Sequence, residues 1–472
     1  MQRFREFLTL LLIGLLPFHA LFITFATKIL RGPDHAPLAS LTLWKEGVLV
    51  VIVAVAVIEI GFFVAKKLRT SGYGLRVTGY GFDWIDVCII GLVGLSLILE
   101  TRNSQLATRN FLYGFKYDLL PLCVLLVLRR VPWSAEFQRR VLWLLLAIGG
   151  LLSAYAIVTL VLPLGFFRAF GYSNLHSLYL PDQPLPPYHQ IAESAVRRIQ
   201  GTFSGPNQLG TWLLIPLGAA LALIMKKKPN TRTPGRVRLI ISGLIILALI
   251  LSFSRSAWIG AVGMILVALA VSLPRKTVQR VVLWGAGAAV AIFLASLIVA
   301  PKVLFRLSSS RGHLERPLKA IALMMEHPLG MGLGTAGPAS NRTSDPCVEL
   351  RPEDDPSWAK STPNLCVFLG EKQVQPLDRE CHCPITPENW YLQIGIELGF
   401  IGMVFFMALT VLILWKLPTT HYALLTFLGI SIAALFLHAW EDAAVAYTAW
   451  ILVAVALSAA DMHDDPRPVA HR

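Results

Sequence analysis

The chain has 472 residues, of which 55% are hydrophobic and 15% charged, and its net charge is +14. A soluble chain of this length carries more charge and interrupts its apolar runs sooner. Here many runs approach the roughly 20 residues that cross a bilayer as one helix. An excess of Lys and Arg in a soluble protein points to nucleic acid. Here it lies largely in short loops between the runs, where it sets orientation, and no nucleic-acid partner is expected.

The first run, Phe7 to about Thr27, follows "MQRFREF". It is long for a signal-peptide core and lacks a small-residue cleavage site, so it reads as a retained helix with a cytoplasmic N-terminus. Further spans are predicted near 46–64, 84–100, 111–128, 141–162, 207–225, 239–253, 256–273, 281–300, 389–415, 421–438 and 443–460. The predicted fold is therefore an all-α integral membrane bundle of about twelve helices. The loops this places inside are "AKKLRT" (65–70), "LRRVPW" (128–133), "MKKKPNTRTPGRVR" (225–238), "PRKTVQR" (274–280) and "WKLP" (415–418). All are rich in Lys or Arg, as the positive-inside pattern requires, and one missed span would reverse every later assignment.

The chain then divides into helices 1–9 over 1–300 with an outer loop at 163–206, a large extracytoplasmic loop at 301–388, helices 10–12 over 389–460, and a cytoplasmic tail at 461–472. The large loop is expected to fold as short helices over the mouth of the bundle. It holds Cys347, Cys366, Cys381 and Cys383. An oxidising exterior favours disulfides. Four cysteines allow three pairings, and spacing does not choose among them. A metal site around "CHC" (381–383) is the rival reading, without a completing zinc-type spacing.

Basic residues on the outer side are not explained by orientation. Arg168, Lys302 and Arg306 read as headgroup contacts. "RRIQGTFSGPNQLG" (197–210) is different, because it places Arg197 and Arg198 just before a helix that Ser204 or Asn207 can cap. A helix start beside a guanidinium is a good anion site, since amide donors and dipole add to a bidentate fork. "LSFSRSAWIG" (251–260) offers Arg255 at a hairpin tip, and "SSSRGHLERPLK" (308–319) adds Arg311 and Arg316. Lys116 shares the same side. Several cations at one membrane surface suit a lipid-borne diphosphate.

An acid or base is the second ingredient. In "PITPENWYLQIGIELGFIG" (384–402), Thr386 reads as the N-cap, Pro387 as the first helical residue and Glu388 as a first-turn carboxylate. Glu388 either complements the helix dipole or serves as a general base. His313 competes for that role, with Glu441 and Asp442 behind it. "HPLGMGLGTAG" (327–337) lacks the context of a phosphate loop and reads as a tight turn at the membrane surface. Asp118 either pairs with Lys116 or faces the bundle interior.

Taken in order, "GFKYDLLPL" (114–122), "RRIQGTFSGPNQLG", "SFSRSAWIG", "HPLGMGLG" and "ENWYLQIGIELGFIG" resemble the O-antigen ligase and polymerase superfamily of bacterial membrane glycosyltransferases. The resemblance covers most of the chain. It implies a GT-C-like bundle in the bacterial inner membrane with its site facing the periplasm. It also implies a metal-independent, cofactor-free, inverting transfer of glycan from an undecaprenyl-diphosphate carrier to an acceptor hydroxyl on a glycan or lipid. By position, Arg198 and Arg255 would hold the diphosphate, with Arg197, Arg311, Arg316 and Lys116 as helpers. The family's ligases carry a histidine where this chain has Glu388. That departure keeps two outcomes open, a ligase and a polymerase of the same superfamily. A transporter or lipid flippase is the alternative from another class.

Overall fold

The computed structural model describes residues 1–70, 82–100, 105–175, 183–191, 196–225, 235–281, 283–285, 287 and 307–463. Long apolar runs leave the backbone no partner but itself in a bilayer, so they form helices. These are α1 (Gln2–Leu15), α2 (His19–Arg31), α3 (Trp44–Thr70), α4 (Trp84–Glu100), α5 (Gln105–Gly114), α6 (Leu120–Leu128), α7 (Ala135–Val158), α8 (Leu164–Ala169), α9 (Pro206–Met225), α10 (Gly235–Leu251), α11 (Arg255–Ser272), α12 (Leu307–Glu326), α13 (Trp390–Lys416), α14 (Tyr422–Ala433) and α15 (Ala443–His463). A single π-type turn, Phe115–Leu119, joins α5 to α6.

Among the described residues, eight helices are long and apolar enough to cross a membrane. They are Gln2–Arg31, Ala39–Lys66, Thr108–Leu128, Ala135–Val158, Pro206–Met225, Arg255–Ser272, Trp390–Lys416 and Ala443–Ala460. Three other predicted spans are shorter helices: α4 and α10 have 17 residues each, and α14 has 12. The span expected at 281–300 lies almost wholly outside the described residues, as do Lys302 and Arg306. The chain is a multi-pass helical protein of the expected class, with α9 and α15 most deeply enclosed.

The two ends of the bundle differ in chemistry. Loops expected inside share one ion-pair network. Arg129 is 2.8 Å from Asp83 and 3.5 Å from Asp86, Arg130 is 2.7 Å from Asp86, and Lys416 also pairs with Asp83. Burial would push the Asp83 carboxyl up; hydrogen bonds from Arg129 and Lys416 outweigh it and hold that carboxyl well below the ordinary range. At the same end Arg5 pairs with Glu59 at 3.0 Å, donates to the Pro132 carbonyl at 2.8 Å and lies 4.1 Å over the Trp133 ring.

The opposite end carries both long loops. Strands β1 (His189–Gln190) and β2 (Arg197–Arg198) pair antiparallel, His189 opposite Arg198. The large loop is not built from short helices alone. Strands β3 (Cys347–Leu350), β4 (Cys366–Leu369) and β5 (Lys372–Gln375) form a small sheet, β3 parallel and β5 antiparallel to β4. Val348, Val367 and Val374, one from each strand, pack with Leu365 and Ala359 in a separate apolar cluster. Disulfides join Cys347 to Cys383 and Cys366 to Cys381. These bonds take up both thiols of the "CHC" stretch, which removes the metal reading.

Replacing the buried Arg129 by Met removes the 2.8 Å partner of Asp83 and leaves Asp86 to Arg130. A loss of about 1–3 kcal/mol is expected in detergent-solubilised thermal unfolding. Lys416→Met at the half-open edge should cost under about 1 kcal/mol. Non-reducing peptide mapping should recover the 347–383 and 366–381 pairs and no crossed pair.

Candidate functional site

Arg198 leaves β2 and reaches the turn between α10 and α11. Its Nε donates to the Ser252 carbonyl at 3.0 Å, and one Nη donates to the Phe253 carbonyl at 3.2 Å and the Asn207 side-chain oxygen at 2.7 Å. These acceptors orient the guanidinium. Asn207 thus turns its side chain to Arg198. Arg255 is the first residue of α11, next to Ser254 at the N-cap. The turn that carries it is tight, with Phe253 at φ +50. Arg197 stacks 4.2 Å over the Tyr188 ring. Arg198 and Arg255 are thereby brought to one turn, at the end of the bundle that bears the loops.

Glu388 lies at the same end. The predicted cap is shifted: Asn389, not Thr386, caps α13, accepting from the Leu392 amide at 3.0 Å, and the helix starts at Trp390. Glu388 therefore precedes the helix, with a left-handed backbone at φ +52. Its carboxylate pairs with Arg316 from α12. The side chains of Arg311 and His313, on the first turns of α12, lie outside the described residues.

Helix packing joins the two groups. The backbones of α11 and α14 meet at Gly260 and Gly429, where a Cβ on Gly260 would come 2.4 Å from the Gly429 carbonyl oxygen. Only glycine allows that approach, and it brings the start of α11 and the end of α14 out at the same end. The Trp390 amide then donates to the Ala434 carbonyl at 2.9 Å, seating the start of α13 on the end of α14.

Behind Glu388, polar side chains run into the bundle. His438 Nδ1 is 2.7 Å from the Gln393 side-chain oxygen, and the Gln393 amide nitrogen donates to Glu441. Deeper still, Glu397 accepts from the Gly334 and Ala336 amides at 2.9 and 3.3 Å. Asp118 is also buried, and neither of its carboxyl oxygens has a hydrogen-bond partner among the described residues. Burial, with the Asp118 charge behind it, pushes the Glu441 carboxyl well above the ordinary range. Burial also lowers the His438 ring to about 4; the Glu388 charge works against this and the Arg316 charge with it.

Lys116 is placed elsewhere than among the arginines: it pairs with Glu46 at 3.2 Å, as does Lys45 at 3.1 Å. It does not pair with Asp118, which faces the interior. His438, Gln393 and Glu397 were not among the sequence-derived candidates. Their signal was the i, i+4 polar pair Gln393 and Glu397 inside an otherwise apolar span, beside a polar "HAWED" turn at 438–442. Neither family models nor characterised proteins give a match to this chain.

Glu397→Gln keeps the acceptor for the Gly334 and Ala336 amides, so thermal stability should change little. Glu397→Leu strands both amides and should cost about 1–3 kcal/mol in the same assay.

Proposed function

We propose that this chain is a membrane glycosyltransferase of the O-antigen ligase type. It moves a glycan from an undecaprenyl-diphosphate carrier to an acceptor hydroxyl at the outer face of the bacterial inner membrane. The observation that carries the reading is the convergence at one end of Arg198 and Arg255 on one turn, with the Glu388–Arg316 pair joined to them through α14. A cationic turn beside a helix start suits the diphosphate. Negative charge grows on that diphosphate as the bond from the anomeric carbon to its oxygen breaks. Guanidinium groups already held in place stabilise the charge at the point where it develops. The carboxylate–imidazole corner at Glu388 and His438 supplies a place for the acceptor's proton.

A polymerase of the same superfamily uses the same parts and differs in acceptor. The species left on the lipid carrier after gene deletion separates the two: long chains for a ligase, single repeat units for a polymerase. Transport is favoured by one feature, the helix broken at Gly399, since broken helices line many carriers' sites. Among the described residues no second helix is broken this way.

Arg198→Ala and Arg255→Ala should each lower glycan transfer by roughly 100-fold or more while membrane insertion stays normal. The assay is purified protein with lipid-linked glycan extracted from the deletion strain, without ion gradient or nucleotide. Absence of transfer by the wild type under those conditions would turn the reading toward transport.

A further inference from the structure

Helix α9 starts at the end that bears the long loops and α10 returns from the opposite end, so Met225 and Gly235 lie at the end expected inside. There α7, α9 and α10 enclose a cavity of about 280 Å³. The three helices touch deeper in the bundle: a Cβ on Gly149 of α7 would come 2.5 Å from Pro216 of α9 and 3.4 Å from Ile245 of α10. Nearer the inner end that contact gives way to the cavity, lined by Leu146, Leu223, Ile224, Leu239 and Ile241, with Arg238 as the charged residue among them. Ile224 and Leu239 edge it and are 67% and 72% exposed, so its mouth faces the bilayer. The space is roughly twice the ~150 Å³ of apolar cavity that takes one benzene molecule, and its walls suit hydrocarbon.

Arg238 stands in the first turn of α10. Its Nε is buried and has no hydrogen-bond partner among the described residues. The nearby Ser242 hydroxyl is engaged on the Arg238 carbonyl, at 2.9 Å. Neighbouring elements supply no acid either. The sequence has no Asp or Glu between Glu193 and Glu315, and Glu136, at the start of α7, pairs with Arg140. The stretch that joins α9 to α10 instead adds Lys226, Lys227, Lys228, Arg232 and Arg236. A guanidinium nitrogen buried against apolar walls is costly unless an acceptor reaches it.

We propose that this cavity binds an anionic phospholipid of the inner leaflet, with part of an acyl chain lodged between α7, α9 and α10 and the phosphate on Arg238. The two halves of the site match the two halves of that molecule. A free inorganic anion satisfies Arg238 but leaves the apolar space unfilled. A zwitterionic lipid fills the space but brings its own cation to the phosphate. Basic pockets between membrane helices on the cytoplasmic side are where anionic headgroups settle, because that leaflet's surface is negative. A guanidinium holds a phosphate through parallel N–H···O bonds, and the buried Nε is one such donor. The bound chain supplies the contact that the three helices lack at this end. It thereby steadies α10, whose far end presents Ser252 and Phe253 to Arg198. The site lies at the end of the bundle away from the arginine turn and does not depend on the transfer reaction.

The test uses the full-length protein in a neutral detergent and native mass spectrometry. The probes are palmitoyl-oleoyl phosphatidylglycerol and the phosphatidylcholine with the same chains. Phosphatidylglycerol should bind about tenfold more tightly, the factor of one charge-assisted contact. Arg238→Met should remove that preference. Arg275→Met, on the next inner loop, should leave it within about threefold, as an exposed charge contributes little. Leu223→Trp, which fills the cavity, should weaken both lipids. Equal affinity of the wild type for the two lipids, or a preference that survives Arg238→Met, would overturn the proposal. So would an equal loss in Arg275→Met, the mark of diffuse attraction to a basic surface. Displacement of phosphatidylglycerol by glycerol phosphate at equal concentration would reduce the site to an anion contact and overturn it too. Displacement by undecaprenyl phosphate would give the cavity to a carrier's tail, and a dimer that sheds the lipid would give it to a second copy; either result overturns the assignment. The wild-type comparisons decide even where a variant fails to fold.

Discussion

Backbone that leaves helical geometry within an apolar bundle must find its hydrogen bonds inside the protein, and α13 shows how that constraint shapes the rest. At Gly399 the helix departs from helical geometry, with φ +69, about 14 Å below its start at the usual rise per residue. The 328–332 segment takes up the freed groups: Met331 and Gly332 amides donate to the Ile396 and Glu397 carbonyls at 2.8 and 3.0 Å, and the Phe400 amide donates to the Pro328 carbonyl at 3.1 Å. The glycine-rich stretch is therefore an inserted plug, deeper than a surface turn. Its continuation, at Gly334 and Ala336, places amides on the Glu397 carboxyl. The large loop is thereby anchored in the bundle, and Glu388 and Arg316 are held at its margins.

Much of the fold could be read from the residues. Runs of Leu, Ile, Val and Ala of membrane length, separated by Lys- and Arg-rich loops, specify helices and their alternation. The ion pairs among Asp83, Asp86, Arg129, Arg130 and Lys416 bring two of the expected inner loops, 128–133 and 415–418, to the start of α4. Shorter helices such as α14 blurred the count, because 12 residues flanked by apolar turns look like a longer span. The sheet in the large loop was missed because its strands are four residues long, too short for a period-2 pattern to stand out.

The candidate site was legible in part. Arginines at a helix start and at a hairpin tip are local signals, and Arg198 and Arg255 do come to one turn. Which carboxylate faces which base is not local. It depends on Trp390 meeting Ala434, and on α12 bringing Arg316 to Glu388 across 72 positions of sequence. Lys116 illustrates the converse: its partner, Glu46, lies on another helix, and no spacing rule joins them.

The disulfides have a consequence for biogenesis. Cys347, Cys366, Cys381 and Cys383 are linked within a 37-residue stretch whose two bonds span 36 and 15 positions. Such bonds form where the compartment supplies an oxidant. On the proposed orientation the segment, made before α13, α14 and α15, lies on the oxidising side. Cells lacking a thiol oxidant would then yield a chain whose helices are in the bilayer but whose small disulfide-linked sheet is still reduced.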